Sequence, residues 1–237
     1  MGIGIGIEVA AGSVPDALSA ASCGAGRIEF CSRLSCGGVT PSMSDVRRVL
    51  REAGIPVVVL VRPRPGGFVY SPGEIATTVR SIRECASRGV SGIATGALDE
   101  FSGIDGKAVS ALVGAAGCVP VVFHRAFDRV PDKPAALEML IDLGVSRVLT
   151  SGGPPAAADG AGTIAALVEQ AGGRIEILPG GGIGSQNAAA LAGLTGWIHG
   201  SFSDRRGVSG EPVFDPVEFG RVLSALGRSP QAPHSDL

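Results

Sequence analysis

The sequence predicts a single (β/α)8 TIM barrel, and three observations predict it. A short β-rich run, a polar turn and a helical stretch recur eight times along 237 residues. No shift in composition divides the repeats. Helical stretches end on a glycine just ahead of the next β-run, as in "REAGIPV" and "IDLGVSR", the mark of a helix C-terminus. One barrel domain is expected over residues 1–227, with a polar, proline-bearing tail at 228–237 expected to be disordered. An open doubly wound sheet is the alternative. It needs a glycine-rich first turn, and "EVAAGSVPDA" lacks G-x-G-x-x-G.

The expected strands follow in order. "IGIGIEV" alternates with a two-residue period, so Ile3, Ile5 and Ile7 share one face and Gly4, Gly6 and Glu8 the other. Glycine inside a strand marks a place where something fits close to the backbone. In "RIEFC", Arg27, Glu29 and Cys31 share a face opposite Ile28 and Phe30. "PVVVLVRP" runs into "VRPRPGG", which is expected to set Arg62 and Arg64 on a common face. "GIATG" is the fourth strand, and "VPVVFHR" the fifth, leading into His124, Arg125 and Asp128. "RVLTS" ends at Thr150 and Ser151, "RIEILPG" runs into a glycine triplet, and "GWIHGS" ends at His199 and Ser201. Helices between them include "SVPDALSAASC", "SPGEIATTVRSIRECASRG" and "PDKPAALEMLIDLG".

Composition narrows the function. Charged residues are 18% and hydrophobic residues 45%, with a net charge of −2 and no Lys/Arg run, which argues against nucleic acid. No apolar run approaches the roughly 18 residues that span a bilayer. The start of the chain lacks the basic segment of a signal peptide, and a cytoplasmic protein is expected. Five cysteines without a C-x-x-C pair read as reduced thiols, mostly buried.

In such a barrel, chemistry sits at the C-terminal ends of the strands. Two acids, several arginines and two of the three histidines fall there. Each alone reads as a structural ion pair or a core residue, but buried pairs cost several kcal/mol of desolvation per ion, so their convergence on one mouth favours a functional pocket. Glu8, Glu29, His124, Asp128 and His199 are the candidate acid–base residues. Arg27, Arg62, Arg64, Arg125, Thr150, Ser151, Asn187 and Ser201 are candidates for binding a small anionic ligand, together with Gly181 and Gly182, whose backbone N–H groups open the next helix. A Schiff-base lysine is excluded, because the only lysines, Lys107 and Lys133, fall in loops or helix starts. Proton transfer by an isomerase, epimerase or lyase remains. A Glu8/Glu29 glycosidase pair and a divalent metal on Glu8, Glu29, His124 or His199 also stay open.

The chain resembles the CutC family from about Ile7 to Ser201. The resemblance rests on "IEV", "GAGRIEFC", "GGVTPS", "VRPRPGGFVYS", "VVFHRAFD", "RVLTSGG", "GGGI" with Asn187, and "IHGS". It implies a cytoplasmic, oligomeric TIM barrel linked to copper homeostasis, binding Cu(I) through a cysteine that matches Cys31. The family often carries another cysteine just after the first-strand glutamate, where this chain has Ala10 and Ala11. Cu(I) takes soft ligands, and one thiolate makes a poor site. Cys36 and Met43 lie near enough in sequence to be considered as substitutes.

Overall fold

The structure is a computed structural model that describes residues 5–204 and 210–229. Residues 1–4, with Ile3 and Gly4 of the expected first strand, lie outside them, as does most of the expected tail. Eight parallel strands form one sheet: β1 (Gly6–Ala11), β2 (Arg27–Phe30), β3 (Val57–Leu60), β4 (Gly92–Thr95), β5 (Val121–Phe123), β6 (Arg147–Thr150), β7 (Glu176–Pro179) and β8 (Trp197–Gly200). All eight fall on the expected runs. Seven seams are ladders of paired residues, and β1 joins both β2 and β8. The eighth, between β7 and β8, is closed by a parallel bridge from Gly180 to His199. The result is a barrel rather than an open sheet.

Among the described residues, eight α-helices wrap it: α1 (Val14–Ser22), α2 (Met43–Glu52), α3 (Pro72–Ala86), α4 (Gly106–Ala116), α5 (Lys133–Asp142), α6 (Ala161–Ala171), α7 (Ala188–Thr195) and α8 (Pro216–Ala225). Their ends follow local rules. Ser71 and Glu74 form a reciprocal capping box on α3. Gly54 and Gly144, the glycines expected after α2 and α5, sit just past those helices at φ +66 and +78, backbone that side chains with a Cβ resist.

Strand alternation divides the core into two shells. Ile7, Val9, Ile28, Phe30, Val57 and Val59 point outward against the helices. The inner shell is asymmetric. Val58, Leu60, Ala94, Val122, Leu149 and Leu178 fill it from β3 to β7, joined by Cys31. From β8, β1 and β2 come His199, Glu8, Arg27 and Glu29, all buried. Trp197 lies across the N-terminal end of this interior, and a Cβ on Gly6 would overlap its ring. That is the close approach for which the first strand keeps a glycine.

Candidate active site at the barrel mouth

The charged side of the interior is built on adjacent strands in register. Glu8 pairs in the sheet with Arg27 on one side and His199 on the other. Its carboxylate takes the Arg27 Nε–H on Oε2 and lies 2.8 Å from His199 Nδ1 through Oε1. Although burial opposes ionisation, the hydrogen bond and charge of His199, with Arg27 and Arg147, hold Glu8 down at about 2. It is a fixed anion.

Glu29 is the contrasting carboxyl. Its Oε2 is buried and meets no hydrogen-bond partner among the described residues. Burial, reinforced by the Glu8 charge, pushes it up to about 7. Ligand atoms of Glu8, Glu29 and His199 lie within 4.8 Å of one another. Burial works against a charged His199, yet Glu29 and Glu8 together raise it above the ordinary imidazole value. Both neighbouring groups are thus shifted upward, Glu29 mainly by burial and His199 by the two carboxyls beside it.

Beneath this trio lies a polar layer that the sequence reading missed. Arg147 Nη2 is 2.8 Å from Glu176 Oε2, Arg27 Nη2 is 3.7 Å from Glu176 Oε1, and the Arg27 guanidinium sits 4.2 Å from the Trp197 ring centroid. Parity was the available signal: Arg147, Glu176 and Trp197 each begin a strand on the face that points inward.

A second group forms across the mouth. Arg62 is buried, and its Nη atoms donate to the carbonyls of Gly38 at 3.0 Å and Gly66 at 2.6 Å, with longer contacts to Cys36 and Gly37. Its guanidinium and the His124 ring both pack on Phe68, each 4.9 Å from that ring's centroid. His124 Nδ1 accepts the Ala126 N–H at 3.3 Å. Burial, then the charge of Arg62, lowers His124 to about 3, so it stays neutral. Gly96 makes room for it, since a Cβ there would come 2.9 Å from Nδ1.

The expected common face of Arg62 and Arg64 does not form. β3 ends at Leu60, because Pro63 and Pro65 cannot extend the ladder. Arg64 instead turns outward to Glu74 at the start of α3, with its Nη2 on the Val69 carbonyl at 2.8 Å.

Asp128, Arg125, Thr150 and Ser151 make a third cluster. The Asp128 carboxylate receives Thr150 Oγ1 at 2.5 Å, Ser151 N and Oγ at 2.9 Å, and Arg125 Nε at 2.7 Å. Four donors occupy both oxygens, so Asp128 ties two loops together. Gly181 has φ +114, and a Cβ on it would lie 2.8 Å from Arg125 Nη1, so this glycine serves packing. Gly182, at φ +63, is held by Asn187, whose amide donates to the Gly182 carbonyl at 2.9 Å. Ser201 Oγ lies 2.9 Å from Ser203 Oγ.

Cys31 lies in the apolar part of the inner shell, 1% exposed. Burial, then the Glu29 charge, pushes its thiol well up, away from the thiolate that binds metal. Met43 packs into the outer shell and Cys36 Sγ bonds the Arg33 carbonyl at 3.0 Å. Among the described residues, the group of three metal-capable donors that comes together contains no cysteine.

A family model described as the CutC family matches residues 5–204. A CutC family protein of Xanthomonas axonopodis pv. citri is 43% identical over 219 residues, covering 92% of this chain and 91% of its own. The mouse copper homeostasis protein cutC homolog is 46% identical over 186 residues, 78% of this chain and 68% of its own. The crystal structure of a CutC protein from Streptococcus agalactiae gives a TM-score of 0.77 at 34% identity, covering 83% of this chain and 98% of its own. QR15, an aldolase, shares the barrel fold alone, with a TM-score of 0.64 at 14% identity. With the family model spanning the whole set of barrel strands and close relatives along most of its length, the chain belongs to the CutC family.

Proposed function

We propose that the chain serves copper homeostasis, the role printed in the name of its mouse relative, and that it does so through acid–base chemistry on a small anion rather than by carrying the ion. Family membership supports the first part. The donor set bears on the second. Cu(I) needs soft ligands, and Cys31 offers one buried, protonated thiol; Cys36 is near enough to act on it, but its Sγ is turned to the Arg33 carbonyl. The residues do not fit that ion. A divalent cation at Glu8, Glu29 and His199 fares little better, since Arg27 and His199 already hold both oxygens of Glu8 and Arg147 adds positive charge nearby.

The observation that carries the acid–base reading is Glu29: a buried carboxyl with an unpartnered oxygen, moved by burial to about 7 beside a histidine that Glu29 and Glu8 raise above its ordinary value. A carboxyl that keeps its proton up to about 7 beside a histidine raised above its ordinary value suits an isomerase, epimerase or lyase that moves protons on a small substrate. Glu8 and Arg27 hold His199 in place for it. We place the protein in the cytoplasm as a homo-oligomer, binding neither nucleic acid nor membrane. The near-neutral charge supports the lack of nucleic-acid binding, and the resemblance to the CutC family supports the location and the oligomer; no helix among the described residues is long and apolar enough to cross a membrane.

Carbon-13 NMR of Glu29 and nitrogen-15 NMR of His199 test the reading. Linked titrations are expected, with Glu29 near 7 and His199 above its ordinary value, and a Glu29 that titrates as an ordinary carboxylate sinks the reading. Competition titration with a Cu(I) chelator tests the copper arm. Tight one-to-one binding that Cys31→Ser abolishes overturns the indirect role.

A further inference from the structure

Arg62 and His124 are buried, and each carries a donor that nothing uses. Arg62 Nε and His124 Nε2 both lack a hydrogen-bond partner among the described residues. Because His124 Nδ1 accepts the Ala126 N–H, the ring proton of the neutral imidazole is on Nε2, which is therefore an N–H donor. The hydrogen bonds of Arg62 go to carbonyls, with the unpartnered Tyr70 hydroxyl close beside it, so its charge faces no carboxylate in these contacts. An orphaned buried donor forfeits its hydration without replacement, and a buried cation without a counter-ion is costlier still. Two such donors packed on one aromatic ring, Phe68, make a pole that awaits an acceptor.

We propose that Arg62 Nε and His124 Nε2 bind the carboxylate of a small organic acid, at a pole of the mouth separate from Glu29 and His199. The chemistry favours a carboxylate over a phosphate. Two free N–H groups match two carboxylate oxygens, and one guanidinium balances one negative charge. The Tyr70 hydroxyl beside Arg62, also buried without a partner, could meet a further oxygen, but a phosphate dianion would bring a second negative charge with no second buried cation in this group to balance it. This rests on the acid–base reading and deepens it, because it sets the substrate as a carboxylic acid long enough to reach from β3 and β5 to the proton pair on β2 and β8. His124 is a donor here, not a proton carrier, and Arg62 also holds the 36–38 and 66 carbonyls.

The test uses the full chain with acetate, glycolate and inorganic phosphate as probes, followed by the Nε2–H signal of His124 and by calorimetry. His124→Asn is the informative variant. Its Oδ1 can still accept the Ala126 N–H while the Nε2 donor is gone. Acetate and glycolate are expected to move the His124 Nε2–H resonance downfield, and His124→Asn to weaken their binding at least tenfold with little change in Tm. Arg62→Lys, which keeps the charge but loses Nε–H, should weaken binding too. Carboxylates that bind His124→Asn as well as the wild type, or a site that takes phosphate and not carboxylate, overturn the proposal. Glu29→Gln separates the two readings. If it leaves carboxylate binding intact while Glu29 itself proves to titrate ordinarily, the donor pole stands and the acid–base reading falls.

Discussion

Glu8 has a different neighbour on each oxygen of its carboxylate: His199 Nδ1 is 2.8 Å from Oε1, and the Arg27 guanidinium donates to Oε2. The three residues come from three adjacent strands, so this one acid stitches β8, β1 and β2 together inside the barrel. It also fixes which His199 nitrogen faces the mouth.

Removing Glu8 therefore strands its partners. Glu8→Ala is expected to destabilise the fold by about 3–5 kcal/mol, because Arg27 is left as a buried charge. Urea unfolding reads this directly, and a loss below about 1 kcal/mol would show that the pair is not desolvated. In the wild type the Glu8 contribution is present above its unfolded value near 4.5 and lost as pH falls toward about 2.

Glu29 acts with the opposite sign. The folded state keeps its proton up to about 7, while the unfolded chain releases it near 4.5, so stability falls as pH rises between those values. At about 1.4 kcal/mol per pH unit, the window is worth at most roughly 3 kcal/mol. His199 adds to the trend, since its raised value gives stability below the unfolded value of 6.5 that is lost as pH rises through the folded one. Glu29→Gln should flatten this limb and leave the variant more stable than wild type at pH 8. Chemical denaturation at pH 5 and pH 8 checks it.

His124 governs an acid limb. The unfolded chain takes a proton there at about 6.5, whereas the folded ring refuses it until about 3, so stability is lost as pH falls below 6.5. His124→Asn should lower that slope between pH 6 and pH 4. An unchanged slope would assign the acid limb to the carboxylates alone.

Much of the fold was legible because alternation and helix-end glycines are local signals. "RIEFC" put Arg27, Glu29 and Cys31 inward and Ile28 and Phe30 outward, as the two shells show. Strand-end position set Glu8, Glu29, His124 and His199 at one mouth, but not which of them meet: the structure joins Glu8, Arg27 and His199 with Glu29 alongside, while His124 packs with Arg62 on Phe68. Arg64 escaped because prolines broke the alternation past Leu60, so parity no longer described where a side chain points. Asp128 was a candidate proton carrier in "FHRAFD", yet three of its four donors come from Thr150 and Ser151 at the end of β6, a long-range fact that no local pattern carries. The layer of Arg147, Glu176 and Trp197 obeyed parity but lies at the N-terminal end, away from where chemistry is sought in this fold.

Gly6 and Trp197 offer a packing test. Gly6→Ala forces the added methyl into the indole ring and should cost about 1–3 kcal/mol through overpacking. Pairing it with Trp197→Leu should recover part of the loss, a non-additivity that a double-mutant cycle measures. Strict additivity would mean the two positions do not share that space.

A cylinder riveted along seven edges and pinned once along the eighth behaves like a split ring. The pin is the Gly180–His199 bridge, so the imidazole that pairs with Glu8 stands on the lip of the split. Small widening there would move His199 relative to Glu29 while leaving the apolar wall from β3 to β7 undisturbed, and amide hydrogen exchange should find β8 loosening before its neighbours.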